Sequence, residues 1–287
     1  MSLAKILICL DTDSQPSIFD GVVAVDAGVD HLFRHGGVTE DAIRDLVYGA
    51  MFTRGPADLK NTAVFIGGSD VDAGEALLAK AKKCFFGPMR VSLMLDSNGA
   101  NTTAAAAVLG VKKHTPLRGV QATVLGATGA VGRRVVRLLA REGAIINVAS
   151  RQKARAQEVC ETVRKTIADA QLTACETQNE KSTRTAVDNA VVIIAAGAPG
   201  VELLPDAIRQ ECKHLKVAVD LNAVPPAGIG GIAPQDKAID HNGQTCYGAI
   251  GVGGLKMKVH KAAIRRLFES NDAVLDAEEI YALGDKI

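Results

Sequence analysis

The stretch Val120-Gln-Ala-Thr-Val-Leu-Gly126-Ala-Thr-Gly129-Ala-Val-Gly132 joins an apolar strand pattern to the helical pattern of residues 131–142. Gly126 permits a tight turn, Gly129 lets the backbone come close to a pyrophosphate, and Gly132 lets the helix pack on the strand. The helix would direct its unbonded N–H groups and its positive end at the phosphates. We therefore predict a dinucleotide-binding βαβ unit, with a glycine-rich turn that binds nothing as the alternative. The predicted contacts are Gly126, Ala127, Thr128, Gly129, Ala130, Val131 and Gly132.

The end of the next predicted strand, residues 144–149, indicates which dinucleotide binds. NAD-specific domains commonly carry an acidic residue there that holds the ribose 2′-hydroxyl. This chain instead continues with Ser150 and Arg151. Arg151 can bind a 2′-phosphate through two N–H groups, and Ser150 can donate a hydrogen bond to it. We predict NADP as the cofactor, and a solvent-exposed basic helix start is the alternative.

The segments that follow repeat the βαβ pattern. Strands are predicted at residues 171–175, 190–195 and 216–219, with helices at 154–168 and 205–211. Such a run forms a doubly wound parallel sheet, in which ligands bind at the carboxyl ends of the strands. The loops after the fourth and fifth strands, and the glycine-rich segment before a helix predicted at 257–270, add further predicted cofactor contacts. These are Ala196, Gly197, Ala198, Asn222 and Gly253.

The first hundred residues predict a separate α/β layer. Strands are expected at residues 6–10, 62–66 and 91–95, with helices at 39–48 and 70–85. Alternation of strands and helices favours a parallel sheet. The predicted fold class is therefore α/β, with two α/β domains that form a cleft, the second of them Rossmann-type. The expected domains are residues 1–102 and 103–270, with a C-terminal helix within 271–287 that packs on the first.

Composition limits the possible functions. The chain has 33 basic and 32 acidic residues and a net charge of +1, which argues against nucleic-acid or membrane-surface binding. Six scattered cysteines without a C-x-x-C pair predict reduced thiols and no metal site. The apolar run at residues 6–10 is too short for an export signal, so we expect a cytoplasmic protein.

Several segments outside the glycine loop are not explained by a phosphate-binding turn: residues 11–20, 97–103, 220–232, 248–256, 267–270 and 276–281. Together they resemble the NADP-dependent methylene-tetrahydromethanopterin dehydrogenases of methylotrophic bacteria, some of which accept methylene-tetrahydrofolate. The resemblance implies a two-domain subunit, a homo-oligomer (trimer or hexamer), and a role in one-carbon metabolism and formaldehyde oxidation. Gln152 stands where the family has a lysine, so use of NAD beside NADP stays open.

The resemblance implies direct hydride transfer from a methylene carbon that lies between two nitrogens. No proton moves in that step, so catalysis would depend on positioning rather than on an acid or base. We expect Asp20, or alternatively the carbonyls of residues 222–231, to stabilise the developing positive charge. We expect Lys256 to orient the pterin, since a lysine at a helix start is not favoured by the helix dipole, and a surface role is the alternative. The predicted substrate-binding residues are Asp20, Asn98, Thr102 and Lys256.

Other functions stay open at this stage. A shikimate- or saccharopine-type dehydrogenase would need a lysine and an aspartate to handle a proton, and Asp96 could supply only the second. A cyclohydrolase would need a lysine in the first domain, where none is well placed. A non-catalytic protein that senses NADP would bind the cofactor without turnover. The rigid proline- and glycine-rich loop after the fifth strand disfavours such a sensor.

Overall fold

The computed structural model describes residues 3–287, which divide into two compact units. Unit 1 comprises the chain up to Thr102 together with residues 257–287, and unit 2 comprises residues 103–256. Residues 257–270, which the sequence places in the second domain, therefore group with unit 1. The reason is a continuous 18-residue helix, Ala249–Arg266, within which the chain leaves unit 2.

Strands and helices alternate in the first hundred residues of unit 1, and the C-terminal residues 257–287 complete this unit. Its elements are β1 (Ile6–Asp11), α1 (Ile18–Asp26), β2 (His31–His35), α2 (Ile43–Met51), β3 (Thr62–Gly67), α3 (Val71–Lys83) and β4 (Ser92–Leu95), followed by the first residues of α4 (Ala100–Lys112).

The five-stranded sheet of unit 1 is parallel, with the order β12-β4-β3-β1-β2, in which β12 is the short C-terminal strand Val274–Leu275. Strands β3 and β4 are buried along their whole length, as expected for parallel strands covered on both faces. Helix α3 begins where the Asp70 carboxylate accepts the Ala73 N–H and ends with three lysines that suit the helix dipole. The short C-terminal strand pairs Val274 with Leu93 and Leu275 with Met94.

Unit 2 continues the same alternation as far as residue 256, after which the chain returns to unit 1 with its last strand and last helix. The elements are β5 (Gln121–Leu125), α5 (Ala130–Arg141), β6 (Ile145–Ser150), α6 (Lys153–Arg164), β7 (Gln171–Glu176), α7 (Glu180–Val187), β8 (Val192–Ala195), α8 (Asp206–Glu211), β9 (Val217–Asp220), β10 (Lys237–His241), β11 (Gln244–Tyr247), α9 (Ala249–Arg266), β12 (Val274–Leu275) and α10 (Ala277–Gly284).

The sheet of unit 2 has seven strands in the order β10-β11-β9-β8-β5-β6-β7. From β5 the chain winds through β6 and β7 on one side and then through β8 and β9 on the other, so the winding reverses between β5 and β8. All pairs are parallel except β10 with β11. The predicted fold class, α/β with a Rossmann-type doubly wound sheet, is confirmed. The point of reversal is where such sheets bind dinucleotides.

Several elements differ from the sequence-based expectation. Helix α9 begins at Ala249, eight residues before the predicted start at Met257, because the glycines of residues 248–254 are tolerated within it. Strand β2 was not predicted, because it is an edge strand with mostly exposed polar residues and no apolar alternation. Among residues 3–287, no helix is long and apolar enough to cross a membrane.

Candidate functional site

The glycine loop between β5 and α5 is constrained at two of its three glycines by the protein itself. Gly126 has φ of 68°, and a Cβ there would lie 2.8 Å from the Cα of Gly197. A Cβ on Gly132 would lie 2.4 Å from the Gly126 carbonyl oxygen, so helix α5 packs directly on the turn. Ala127 is buried, and its N–H donates to the Ala149 carbonyl at 3.0 Å.

Gly129 is different, because no protein atom lies close enough to exclude a side chain at this position. It is the exposed N-cap of α5, with φ of −75°, and the nearest atoms to a Cβ would be 3.5 Å away. No side chain caps the helix, so the first N–H groups of α5, at Ala130 and Val131, are left for another acceptor. Thr128 is half-buried beside them. The space that a Cβ would fill, in front of a helix N-terminus, fits a phosphate group.

The end of β6 carries the residues predicted to read the 2′-phosphate. Ser150 is buried, and its Oγ accepts the Gln152 N–H at a long 3.4 Å. Arg151 is exposed, and no ion pair to it is found within residues 3–287. The first turn of α6 contains no acidic residue, while Lys153 and Arg155 add exposed positive charge. The end of β6 can therefore attract an anion.

The loop after β8 lies against the glycine loop. Ala196 donates its N–H to the Leu125 carbonyl at 2.9 Å, and a Cβ on Gly197 would meet the Leu203 side chain at 2.6 Å. Ala198 is exposed in the same loop. Ala196 and Gly197 thus lie next to the glycine loop.

The loop after β9 is held by a residue that the sequence-based site missed. Asp220 is almost fully buried, and its carboxylate accepts N–H groups from Asn222 at 3.0 Å, Gly228 at 2.8 Å and Ile229 at 3.1 Å. Burial raises the pKa of the Asp220 carboxyl, although these three hydrogen bonds act to lower that pKa. The position of an acid directly after an apolar strand was the available signal.

Asn222, a predicted cofactor contact, uses both ends of its side chain within that loop. Its Nδ2 donates to the Pro226 carbonyl at 2.9 Å, and its Oδ1 accepts the Val224 N–H at 3.0 Å. The peptide bond between Pro225 and Pro226 is cis. With its two hydrogen bonds, the Asn222 side-chain amide stabilises the conformation of residues 222–226.

The physical argument for Lys256 is wrong in one respect. Lys256 is the eighth residue of α9 and not its first, so the unfavourable position relative to the helix dipole does not exist. Its side chain is half-buried. Gly253 also lies within this helix, with open space where a Cβ would stand. Both residues are in the half of α9 that belongs to unit 2.

The predicted substrate residues of unit 1 have very different exposure. Asp20 lies half-buried in the first turn of α1, where its N–H donates to the Ser17 Oγ at 3.2 Å. Asn98 is exposed and has φ of 54°. Thr102 is fully buried, and its hydroxyl and N–H both donate to the Asp96 carboxylate, at 2.6 and 3.0 Å.

Asp96 also faces a histidine that the sequence did not single out for function. The His260 Nδ1 lies 4.0 Å from the Asp96 Oδ2, and both side chains are fully buried. The His260 ring stacks on Phe65, with ring centroids 5.8 Å apart. Asp96 thus lies between the first turn of α4, to which Thr102 bonds it, and the unit 1 half of α9.

A cavity of about 520 Å³ opens at the carboxyl ends of β1 and β3 in unit 1. Thr12, Asp13 and Asp70 line it, and Lys80 at its margin pairs with Glu40 at 3.1 Å. None of the predicted substrate residues lines it, so the predicted pterin contacts lie elsewhere. Within the described residues, no group of three or more His, Cys, Asp or Glu side chains is arranged to hold a metal ion.

Comparison with known proteins gives family matches in both halves of the chain. Residues 18–98 match the family described as methylene-tetrahydromethanopterin dehydrogenase, N-terminal, and residues 122–216 match the saccharopine dehydrogenase NADP binding domain. A shikimate 5-dehydrogenase structure from Listeria monocytogenes is 16% identical with a TM-score of 0.57, and the alignment covers 98% of this chain and 96% of that one. That likeness concerns the fold alone.

Two full-length relatives come from Methylorubrum extorquens. The bifunctional protein MdtA is 46% identical over 285 residues, which is 99% of both chains. The NAD(P)-dependent methylenetetrahydromethanopterin dehydrogenase is 30% identical over 281 residues, which is 94% of both chains. These relatives confirm the resemblance drawn from the sequence. The chain therefore belongs to the methylene-tetrahydromethanopterin dehydrogenase family of NADP-dependent oxidoreductases.

Proposed function

We propose that this chain oxidises 5,10-methylene-tetrahydromethanopterin to the methenyl form with NADP, as a step of formaldehyde oxidation. The observation that carries the proposal is the space at Gly129, in front of an uncapped helix N-terminus, in a chain related over its full length to such dehydrogenases. 5,10-Methylene-tetrahydrofolate is the second proposed substrate.

The residues that would hold NADP follow from the geometry of unit 2. The first N–H groups of α5 would bind the pyrophosphate, and the Arg151 guanidinium with the Ser150 hydroxyl would bind the 2′-phosphate. On the other side of the sheet reversal, Ala196, Gly197 and Ala198 would lie along the nicotinamide half. Asn222 would contribute through the loop that it shapes, and Gly253 through its open surface on α9.

The proposed hydride transfer requires no proton transfer to or from the protein. NADP, when bound, accepts the hydride that leaves the methylene carbon, and the remaining positive charge spreads over the two flanking nitrogens. The task of the chain is then to orient the pterin and to tolerate that charge. We propose that Lys256 binds a polar atom of the pterin, that Asp20 offsets the charge, and that Asn98 adds a polar contact. Thr102 would act only through Asp96, because it has no exposed atom.

We also propose a homo-oligomer, in which a second copy covers α1 and the edge strand β2. Helix α1 exposes Ile18, Val22 and Val25 at the spacing of one helical stripe, and Phe33 is exposed on β2. A sheet edge beside apolar side chains is a surface that proteins normally cover, and a closed symmetric assembly covers it with identical copies. The free thiols agree with a cytoplasmic location, which stays part of the proposal.

The oligomer has a direct test in Val22→Glu. The mass from light scattering should fall towards 30.0 kDa for this variant. Ile239→Glu, on the edge strand of the other sheet, should leave the mass of the wild type unchanged. A Val22→Glu protein with the wild-type mass would exclude this surface.

The enzymatic function is tested by following the reduction of NADP and NAD with methylene-tetrahydromethanopterin and with methylene-tetrahydrofolate, in parallel. We expect turnover with the methanopterin substrate and a preference for NADP. Shikimate serves as the comparison substrate, because the fold is shared with shikimate dehydrogenases. Binding of NADP without turnover of either pterin would instead support a cofactor-sensing protein.

A further inference from the structure

We propose that Asp220 is a positioning residue, whose carboxylate holds residues 221–231 as a rigid wall for the nicotinamide half of NADP. The proposal rests on the proposed function, since it assumes that unit 2 binds NADP. Residues 221–231 are called the wall loop below. Asp220 itself lies in the sheet at the end of β9 and need not touch the cofactor.

The order of the strands places the wall loop on the nicotinamide side. The pyrophosphate position is at the start of α5, after β5, and Arg151 lies at the end of the neighbouring strand β6. An adenosine held at β6 leaves the other half of the dinucleotide to extend across the reversal, over the ends of β8 and β9. The wall loop follows β9 directly.

A series of close contacts connects the phosphate-binding turn to the wall loop. Gly126 lies against Gly197, and Gly197 lies against Leu203. The N–H groups of Leu203 and Leu204 both donate to the Gly228 carbonyl, at 2.8 and 3.0 Å. A shift of Gly228 would therefore be transmitted towards the cofactor position.

The Asp220 carboxylate fixes Gly228 from the other side. One oxygen accepts the N–H groups of both Gly228 and Ile229, and the second accepts that of Asn222. The approach is so close that a Cβ on Gly228 would lie 2.6 Å from the Asp220 Oδ1. The buried Asp220 side chain thus binds the wall loop near its start, at Asn222, and again near its end, at Gly228 and Ile229.

A second buried side chain braces the far end of the loop. The Arg209 Nε donates to the Gly230 carbonyl at 3.1 Å and to the Asp206 Oδ1 at 3.2 Å. Its Nη1 bonds the Gln244 side chain on β11. Arg209 therefore links the wall loop to α8 and to β11. Asp220 and Arg209 together leave the loop little freedom.

Two opposing effects act on the buried Asp220 carboxylate. Burial raises the pKa of Asp220, and the three hydrogen bonds from the wall loop act to lower that pKa. An ionised acceptor that meets three N–H groups nevertheless gives more exact geometry than a neutral one can. This combination is typical of groups that position a site.

The experiment compares wild type with Asp220→Asn and Gly228→Ala. In Asp220→Asn the amide must turn an N–H₂ towards either Asn222 or the Gly228 and Ile229 donors, so one set of bonds is lost. Gly228→Ala displaces the loop from the other side and keeps the carboxylate, so it decides the question if Asp220→Asn does not fold. Thr123→Val is the control, because it removes another buried hydrogen bond of the same sheet, to Ala186.

Two readouts are independent of turnover. The first is calorimetric binding of NADP and of adenosine 2′,5′-bisphosphate, which lacks the nicotinamide half. The second is hydrogen exchange of the Gly228 and Ile229 amides in the protein without cofactor. We expect both loop variants to exchange these amides at least about tenfold faster. NADP binding and kcat should fall about tenfold or more, whereas binding of the bisphosphate should stay within about twofold.

The outcomes separate this proposal from the function on which it rests. Wild type that binds neither NADP nor the bisphosphate would refute the proposed function. Wild type that binds both, with loop variants whose ratio of the two affinities equals that of Thr123→Val, would overturn the role of Asp220 alone. Equal losses for NADP and for the bisphosphate would also overturn it, because they indicate general damage to the sheet.

Discussion

Gly126 and Gly197 meet backbone to backbone, with only 2.8 Å between the Gly197 Cα and the place of a Cβ on Gly126. Gly129, three residues after Gly126, has no such neighbour and an ordinary φ of −75°. The same loop thus contains one glycine that the fold requires and one that only a ligand would require. Single substitutions at these two glycines can therefore separate an effect on folding from an effect on cofactor binding.

We predict that Gly126→Ala lowers the free energy of unfolding by roughly 2 kcal/mol or more, because it adds a positive-φ penalty to the contact with Gly197. Gly129→Ala should unfold at the same urea concentration as wild type. Its affinity for NADP should nevertheless fall about tenfold or more, since the new methyl group takes the place of a phosphate. Gly129→Ala with wild-type affinity in calorimetry would contradict the phosphate position.

Arg151 should decide the preference for the phosphorylated cofactor. Arg151→Ala removes an exposed guanidinium from the end of β6, and a charge-assisted hydrogen bond contributes about 1.5–3 kcal/mol. We expect kcat/KM for NADP to fall about tenfold to a hundredfold, with little change for NAD. Arg155→Ala, two helical positions into α6, is the matched control and should change neither value much. Equal losses for both cofactors would show that Arg151 does not read the 2′-phosphate.

Lys256 is proposed to orient the pterin, and Lys256→Ala tests this. Because the side chain is half-buried within α9 and alanine favours helix, the fold should tolerate the change. The KM for methylene-tetrahydromethanopterin should rise about tenfold, with binding of NADP unchanged. The control is Lys258→Ala, which removes an exposed lysine from the same helix. Unchanged kcat/KM for the pterin would reject the role.

The thiols should react in an order set by burial. Burial raises the pKa of Cys9 to about 12 and that of Cys246 to about 11, so little thiolate forms at pH 8. Cys175 is the cysteine that is not fully buried, although burial raises its pKa as well. A thiol reagent at pH 8 should label Cys175 first and the others only after unfolding. Labelling of Cys9 in the folded protein would contradict the burial described.

The parts of the fold that local patterns could predict are those whose residues decide their own conformation. The glycine loop predicted a strand, a turn and a helix, because glycine tolerates positive φ and close packing. Strand β2 and helix α1 escaped prediction. The edge position of β2 removes the apolar alternation that identifies a strand, and α1 exposes apolar residues on the face where polar ones are expected.

The candidate site divides in the same way. Residues of the phosphate loop and Arg151 could be named from sequence, because their roles follow from a short segment with a fixed order of elements. Asp220, Arg209 and the Asp96–His260 pair could not. Arg209 bonds Gln244 and Asp96 faces His260, both of which lie far along the chain. The partners of Asp220 are nearer, but they are backbone N–H groups, which the pattern of side chains does not reveal. Lys256 shows the opposite error. The glycines of residues 248–254 suggested that a helix starts near Lys256, but α9 begins at Ala249, so the argument from the helix dipole does not apply.

By itself the sequence determined the α/β class, the dinucleotide loop and the family, because these depend on neighbouring residues and on segments that keep their order along the chain. Only the tertiary structure decided that α9 is shared by the two units, that Thr102 is buried on Asp96, and that Asp220 holds the wall loop. The physical reason is that burial, which forces polar groups to find partners within the protein, is set by packing between distant segments, and packing overrides local propensity.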